Sequence, residues 1–195
     1  MVKSIEELTE HVILIGASLR GESKTVGTVE SCTAGLIAHT LTSISGASNF
    51  FRGGLVTYMT DTKVSLADCE AEDIDKYGVV SEHTAEQMAS GGCKKIASDY
   101  CVSITGYIGE TGGDEKAPNG TFCIGVSTKT EGKITTYLYR FVTPPELSRE
   151  EKSLYCVYHA LGCLTMVLFK DKGFDNLDEL HGVKELYPFL VDLFK

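Results

Sequence analysis

The sequence predicts an α/β protein built on a mixed, mostly parallel sheet. Between residues 25 and 106, β-prone runs alternate with helical patterns, the rhythm of strand–helix units and parallel pairing. Two further β-rich runs, 121–128 and 133–142, are separated only by Lys129-Thr130-Glu131-Gly132, which reads as a hairpin and an antiparallel edge. The long apolar-periodic segment 148–169 supplies a helix to cover the sheet.

In chain order, residues 4–20 read as an amphipathic helix, with Ser4 and Glu7 as a capping box and Gly21 ending it. The first strand is Thr25–Val29, and a helix runs from about Ala34 to Ile44. The stretch SGASNFFRGG, 45–54, admits two readings. It is either an ordinary turn with Phe50 and Phe51 dipping into the core, or an anion nest using the open N–H groups of Gly46, Ala47 and Ser48. A second strand follows at 55–59, then a helix start at Thr60, and a short helix at 71–77. Ser81 caps a helix reaching about Ser98, with His83 near its start as a surface residue. A buried strand is expected at 100–106, and a long polar loop at 107–120 of the kind that covers a site. Pro144-Pro145 breaks the chain before the long helix, where Ser148 and Glu151 form a capping box.

This organisation gives one domain over residues 1–172 and a helical extension over 173–195. The extension has apolar positions at Leu177, Leu180, Leu186, Phe189, Leu190 and Leu193 that would pack on the domain or on a second subunit. The apolar share of 43% is enough for a sizeable core. A net charge of −9 argues against non-specific nucleic-acid binding, which needs Lys and Arg against phosphates. No uninterrupted apolar run is long enough to cross a bilayer, and the N-terminal residues do not read as a signal peptide, so a cytoplasmic location is the default expectation. The seven cysteines are odd in number, lack a CxxC pair and sit largely in apolar runs, so they read as buried free thiols rather than as metal ligands.

The stretch that gathers candidate chemistry is TVGTVESCTAGL, residues 25–36. It places Ser31, Cys32 and Thr33 between the carboxyl end of a strand and a helix, where ligands bind in open α/β sheets. No GxSxG, GxxxxGK[ST] or GxGxxG occurs, which sets aside the α/β-hydrolase, P-loop and dinucleotide-binding readings. What remains is a serine near a lysine. A hydroxyl needs a base, and a lysine serves when burial lowers its pKa. Tyr58 and Lys63 flank the next strand–helix junction, so all three meet at one rim if the two strands are neighbours, with the tyrosine hydroxyl relaying or orienting the proton. Taken alone, Lys63 reads as a solvated lysine.

ESCTAG (30–35), SGASNFFRGGLVTY (45–58) with Lys63 five residues on, GVVSEHTAEQMASG (78–91), and SITG (103–106) with PNGT downstream resemble the CinA C-terminal domain family. The stand-alone members are nicotinamide-nucleotide amidohydrolases, also called NMN deamidases. The resemblance covers roughly residues 5–170. It implies a three-layer α/β/α sandwich, a homodimer or higher homo-oligomer, a pyridine nucleotide as partner, and hydrolysis of the carboxamide without a cofactor. It further implies Ser31 as nucleophile, Lys63 as general base and Tyr58 assisting. Thr33, Gly46, Ala47, Ser48, Thr105, Gly106 and Arg149 are the substrate-binding set expected with it, and the large domain preceding this one in longer members is not expected. The chain departs from the family at TGYIGE, 105–110, where members usually read SGIAGP, and at VTPPEL, 142–147, where members tend to carry GDR. A catalytically inactive nucleotide-binding or scaffolding homologue, and an amidase for a different amide, are the alternatives.

Overall fold

A computed structural model describes residues 2–174 and 181–193, without the side chains of His181, Asp192 and Leu193. Five strands form one sheet in the order β2-β1-β3-β4-β5. They are β1 (Val26–Glu30), β2 (Phe51–Val56), β3 (Tyr100–Gly106), β4 (Thr121–Thr130) and β5 (Lys133–Val142). β1 pairs in parallel with both β2 and β3, whereas β3–β4 and β4–β5 are antiparallel, so four strands run one way and β4 opposes them. The order reverses at β1, which has its successor on one side and β3 on the other. Such a switch point opens a crevice at the carboxyl ends of the strands.

Helices cover both faces. On one side lie α1 (Thr9–Gly21), α2 (Leu36–Leu41) and α6 (Arg149–Lys170), packed on the main core of Val12, Ile15, Val102, Ile124, Leu161 and their neighbours. On the other lie α3 (Thr60–Ala67), α4 (Ala71–Tyr77) and α5 (Glu82–Ile96), over Val29, Met88, Cys93 and Cys101. β1 is buried at every residue, as expected of a central parallel strand, where no solvent face imposes alternation. All seven cysteines are buried free thiols.

Several boundaries differ from expectation. The first helix begins with a 3₁₀ turn, Glu6–Leu8, whose N-cap is Ile5, and no Ser4–Glu7 box forms; the Glu7 carboxylate instead accepts the Lys3 N–H at 3.1 Å. The second strand is 51–56 rather than 55–59. Its Gly53-Gly54 pair hides a strand from pattern reading, yet Gly54 is needed because a Cβ there would overlap Thr28 Oγ1 of β1. The capping boxes diverge: Ser148 and Glu151 do close one at the start of α6, with the Ser148 N–H donating to Glu151 at 2.8 Å.

α6 has the length and composition to cross a bilayer, but 72% of its apolar stretch is buried inside the domain, which makes it the core helix of one layer. Two short helices of the extension, α7 (His181–Leu186) and α8 (Leu190–Leu193), dock beside it. Val183, Tyr187 and Leu190 join the main core, and the Tyr158 hydroxyl donates to the Leu186 carbonyl at 3.0 Å. Leu177 and Leu180 lie outside the described residues.

Candidate active site

The nucleophile candidate sits where β1 ends. The Ser31 N–H still donates to the Ile104 carbonyl of β3 (3.0 Å), so its backbone is fixed by the sheet. The chain then turns sharply through Ala34 (φ 51°) and Gly35 (φ 98°) into α2. Glu30, fully buried, holds this turn from inside. Its Oε2 accepts from Thr33 Oγ1 (2.7 Å), Gly35 N (3.1 Å) and Ile37 N (2.9 Å), and its Oε1 from Ala38 N (2.8 Å). Every partner is a donor, so a carboxylate suits the position, and it caps the otherwise orphaned N–H groups at the start of α2. The backbone N–H groups of Cys32 and Thr33 donate to no acceptor among the described residues.

Lys63 comes from α3, which begins directly after β2, the parallel neighbour of β1. It is fully buried, not solvated. The first turn of α3 points Nζ inward, 3.0 Å from Ser31 Oγ, 2.7 Å from the Thr57 carbonyl and 3.4 Å from the Tyr58 carbonyl. Among the described residues no carboxylate pairs with it. Burial therefore lowers its pKa, with smaller opposing influences from the Cys69 and Cys32 thiols, and Cys69 is itself pushed up to about 12 by burial. The close seat of α3 depends on Gly91 of α5, where a Cβ would overlap the Ala67 carbonyl oxygen.

Ser31 and Lys63 open into a cavity of about 230 Å³. Tyr58, Thr105, Gly106 and Arg149 also line it, with Val79, Val80 and the loop residues Tyr107, Ile108, Gly109 and Thr111. Tyr58 is 55% exposed and its hydroxyl turns to the rim, accepting from Arg149 Nη2 at 3.4 Å. Its contact with Lys63 is through the backbone carbonyl rather than the hydroxyl. Thr105 Oγ1 donates to the Val79 carbonyl at 2.8 Å.

The remaining residues of the expected set lie elsewhere. Thr33 spends its hydroxyl on Glu30 and does not line the cavity. Gly46, Ala47 and Ser48 precede β2, in and beside the 3₁₀ turn Ala47–Asn49. Because β2 runs parallel to β1 and Phe51 is level with Val26, these three residues sit at the opposite end of the strands from Ser31. Ala47 and Phe50 join the main core, which agrees with the plain turn reading for Phe50. Glu30 is a residue of the candidate site that sequence reasoning missed. Its one signal is its place: a carboxylate inside an otherwise apolar and small central strand, immediately before Ser31.

The model of the CinA C-terminal domain matches residues 8–168. The chain belongs to the CinA C-terminal domain family. A CinA-like protein of Rippkaea orientalis is 38% identical over 148 residues, 76% of this chain and 35% of the relative. One from Leptospira biflexa is 41% identical over 143 residues, 72% of this chain and 34% of the relative. The chain thus spans about a third of the length of the curated relatives it matches. Among solved structures, the competence/damage inducible protein CihA of Agrobacterium tumefaciens superposes with a TM-score of 0.77 at 30% identity, covering 86% of this chain and 98% of that one. A CinA superfamily protein of Enterobacter cloacae gives 0.76 at 24% identity over 83% and 92% of the two chains, a likeness of fold. In this CinA domain the family region stops before α7, so the extension lies outside it.

Proposed function

We propose that this CinA domain is a serine amidohydrolase that converts nicotinamide mononucleotide and water into nicotinate mononucleotide and ammonia. The observation that carries the reading is the buried contact of 3.0 Å between Lys63 Nζ and Ser31 Oγ at the head of a cavity. A neutral amine has two N–H bonds and one lone pair. With the N–H bonds directed at the Thr57 and Tyr58 carbonyls, the lone pair faces the serine hydroxyl.

In this mechanism Lys63 takes the Ser31 proton as Oγ adds to the carboxamide carbon. The negative oxygen of the tetrahedral intermediate is received by the Cys32 N–H beside the nucleophile, which has no acceptor among the described residues. Collapse breaks the C–N bond, and Lys63 returns the proton to the departing ammonia. A water molecule then adds to the Ser31 ester with Lys63 again as base, releasing the carboxylate. Arg149 at the rim presents the cation for the substrate phosphate, its guanidinium steadied by the Tyr58 hydroxyl, while Thr105 and Gly106 form the wall. No cofactor enters these steps. The same reading expects a homo-oligomer in the cytoplasm.

Ammonia release from nicotinamide mononucleotide, nicotinamide riboside and nicotinamide by the purified protein tests the reading. Release from the mononucleotide in preference to the other two is expected. Failure to act on the mononucleotide would sink it.

A further inference from the structure

A second cavity, of about 420 Å³, lies between the N-terminal turn and α1, α6 and the α7 segment, among residues the proposed chemistry does not use. Its walls are rings from two helices. Tyr155 and Tyr158 stand three residues apart on α6 and so share a face. His11 of α1 meets Tyr158 edge to face, ring centroids 5.6 Å apart at 81°, which sets two walls at right angles. The Tyr158 hydroxyl is fixed by its bond to the Leu186 carbonyl. Two exposed carboxylates, Glu7 and Glu185, also line it, with Val2, Leu186 and Pro188, and among the described lining residues there is no lysine or arginine.

His11 is a second, independent feature. It is only 6% exposed, and its Nδ1 has no hydrogen-bond partner among the described residues. Burial lowers its pKa, against a weaker opposing influence of Glu10, so the ring is neutral near pH 7 and adds no positive charge to the wall. Glu185 and Leu186 lie beyond the family region, which ends at residue 168, so the extension supplies part of the cavity wall.

We propose that this cavity binds a small organic cation, an aryl-substituted quaternary ammonium in size and chemistry. Tyrosine rings attract such a cation through their quadrupoles, and two carboxylates, with no lysine or arginine among the described lining residues, match its charge. The same carboxylates repel an anion, so a nucleotide is excluded from this cavity.

The test is titration of the full chain with benzyltrimethylammonium, followed by calorimetry or by tyrosine ring shifts in NMR, beside the neutral 3-phenylpropanol. Saturable binding of the cation is expected, with the alcohol weaker by about tenfold, the scale of one partly desolvated cation–π contact. The Glu7→Gln/Glu185→Gln double variant alters two exposed side chains and is expected to fold normally and lose about tenfold in affinity for the cation. Tyr158→Leu should lose a similar factor, while Ser31→Ala should bind like wild type whatever becomes of the amidohydrolase reading. Equal affinity for cation and alcohol, an unchanged double variant, or no saturation on the order of tens of millimolar would overturn the proposal.

Discussion

Replacing Glu30 with Gln tests whether a buried carboxylate holds the nucleophile turn. Glu30 accepts four hydrogen bonds at 2.7–3.1 Å and is fully buried. Glutamine can keep its oxygen toward Thr33, Gly35 and Ile37, but its NH₂ group then faces the Ala38 N–H, donor against donor. That loses one charge-assisted bond and orphans a buried N–H, together about 3–5 kcal/mol, and the three retained bonds weaken as their acceptor becomes neutral. Against this, a neutral amide is cheaper to bury than a carboxylate, by several kcal/mol. The net expectation is a loss of about 2–4 kcal/mol, a large share of the ~5–15 kcal/mol typical of a domain. Urea unfolding at pH 7 measures it as a fall in midpoint at constant slope. Turnover of the folded variant should also drop, because the Ser31 turn is anchored through these bonds. A stability change under about 0.5 kcal/mol with unaltered turnover would refute the reasoning.

Other consequences follow from burial. Lys63→Met should abolish ammonia release yet leave stability equal or raised near pH 7, since it removes a buried amine that has no ion-pair partner among the described residues. Because the folded pKa of Lys63 is lowered, the unfolded state binds more protons between that pKa and 10.5, so wild-type stability rises with pH across this window. Parallel denaturation series should therefore show the Met variant's advantage shrinking toward pH 10.5. His159, 4% exposed and lowered to about 4 by burial, works in the acid range. Between pH 6.5 and 4 the unfolded state binds the extra proton, so wild type should lose about 3 kcal/mol there that His159→Phe does not. Gly91→Ala should cost more than about 2 kcal/mol by pushing α3 off α5, and should lower activity through displacement of Lys63, read by thermal unfolding and ammonia release.

The sequence showed the fold wherever side chains carry the pattern. The runs around 26–30, 100–106, 121–130 and 133–142 are rich in β-branched and aromatic residues, and each is a strand. β2 was misplaced because its middle is Gly53-Gly54, of which Gly54 serves close approach to Thr28 rather than strand propensity. Ser4 and Ser148 carry the same capping pattern, but only Ser148 sits at the N-cap in an extended conformation, whereas the first helix opens on a 3₁₀ turn after Ile5. Within the site, adjacency of β1 and β2 was enough to bring Ser31 and Lys63 together, and this was legible. The 46–48 cluster was not, because a string of small residues has the same look at either end of a sheet, and only strand polarity decides which end it occupies. Glu30 escaped because three of its four partners are backbone N–H groups five to eight residues onward, which no side-chain motif records.

The most direct test of the central claim is ammonia release from nicotinamide mononucleotide by Ser31→Ala beside wild type, both shown folded by circular dichroism. A Ser31–Lys63 acyl-enzyme predicts a loss of at least ~10³-fold, the scale seen when a nucleophile is removed. Equal release by the two proteins would contradict it.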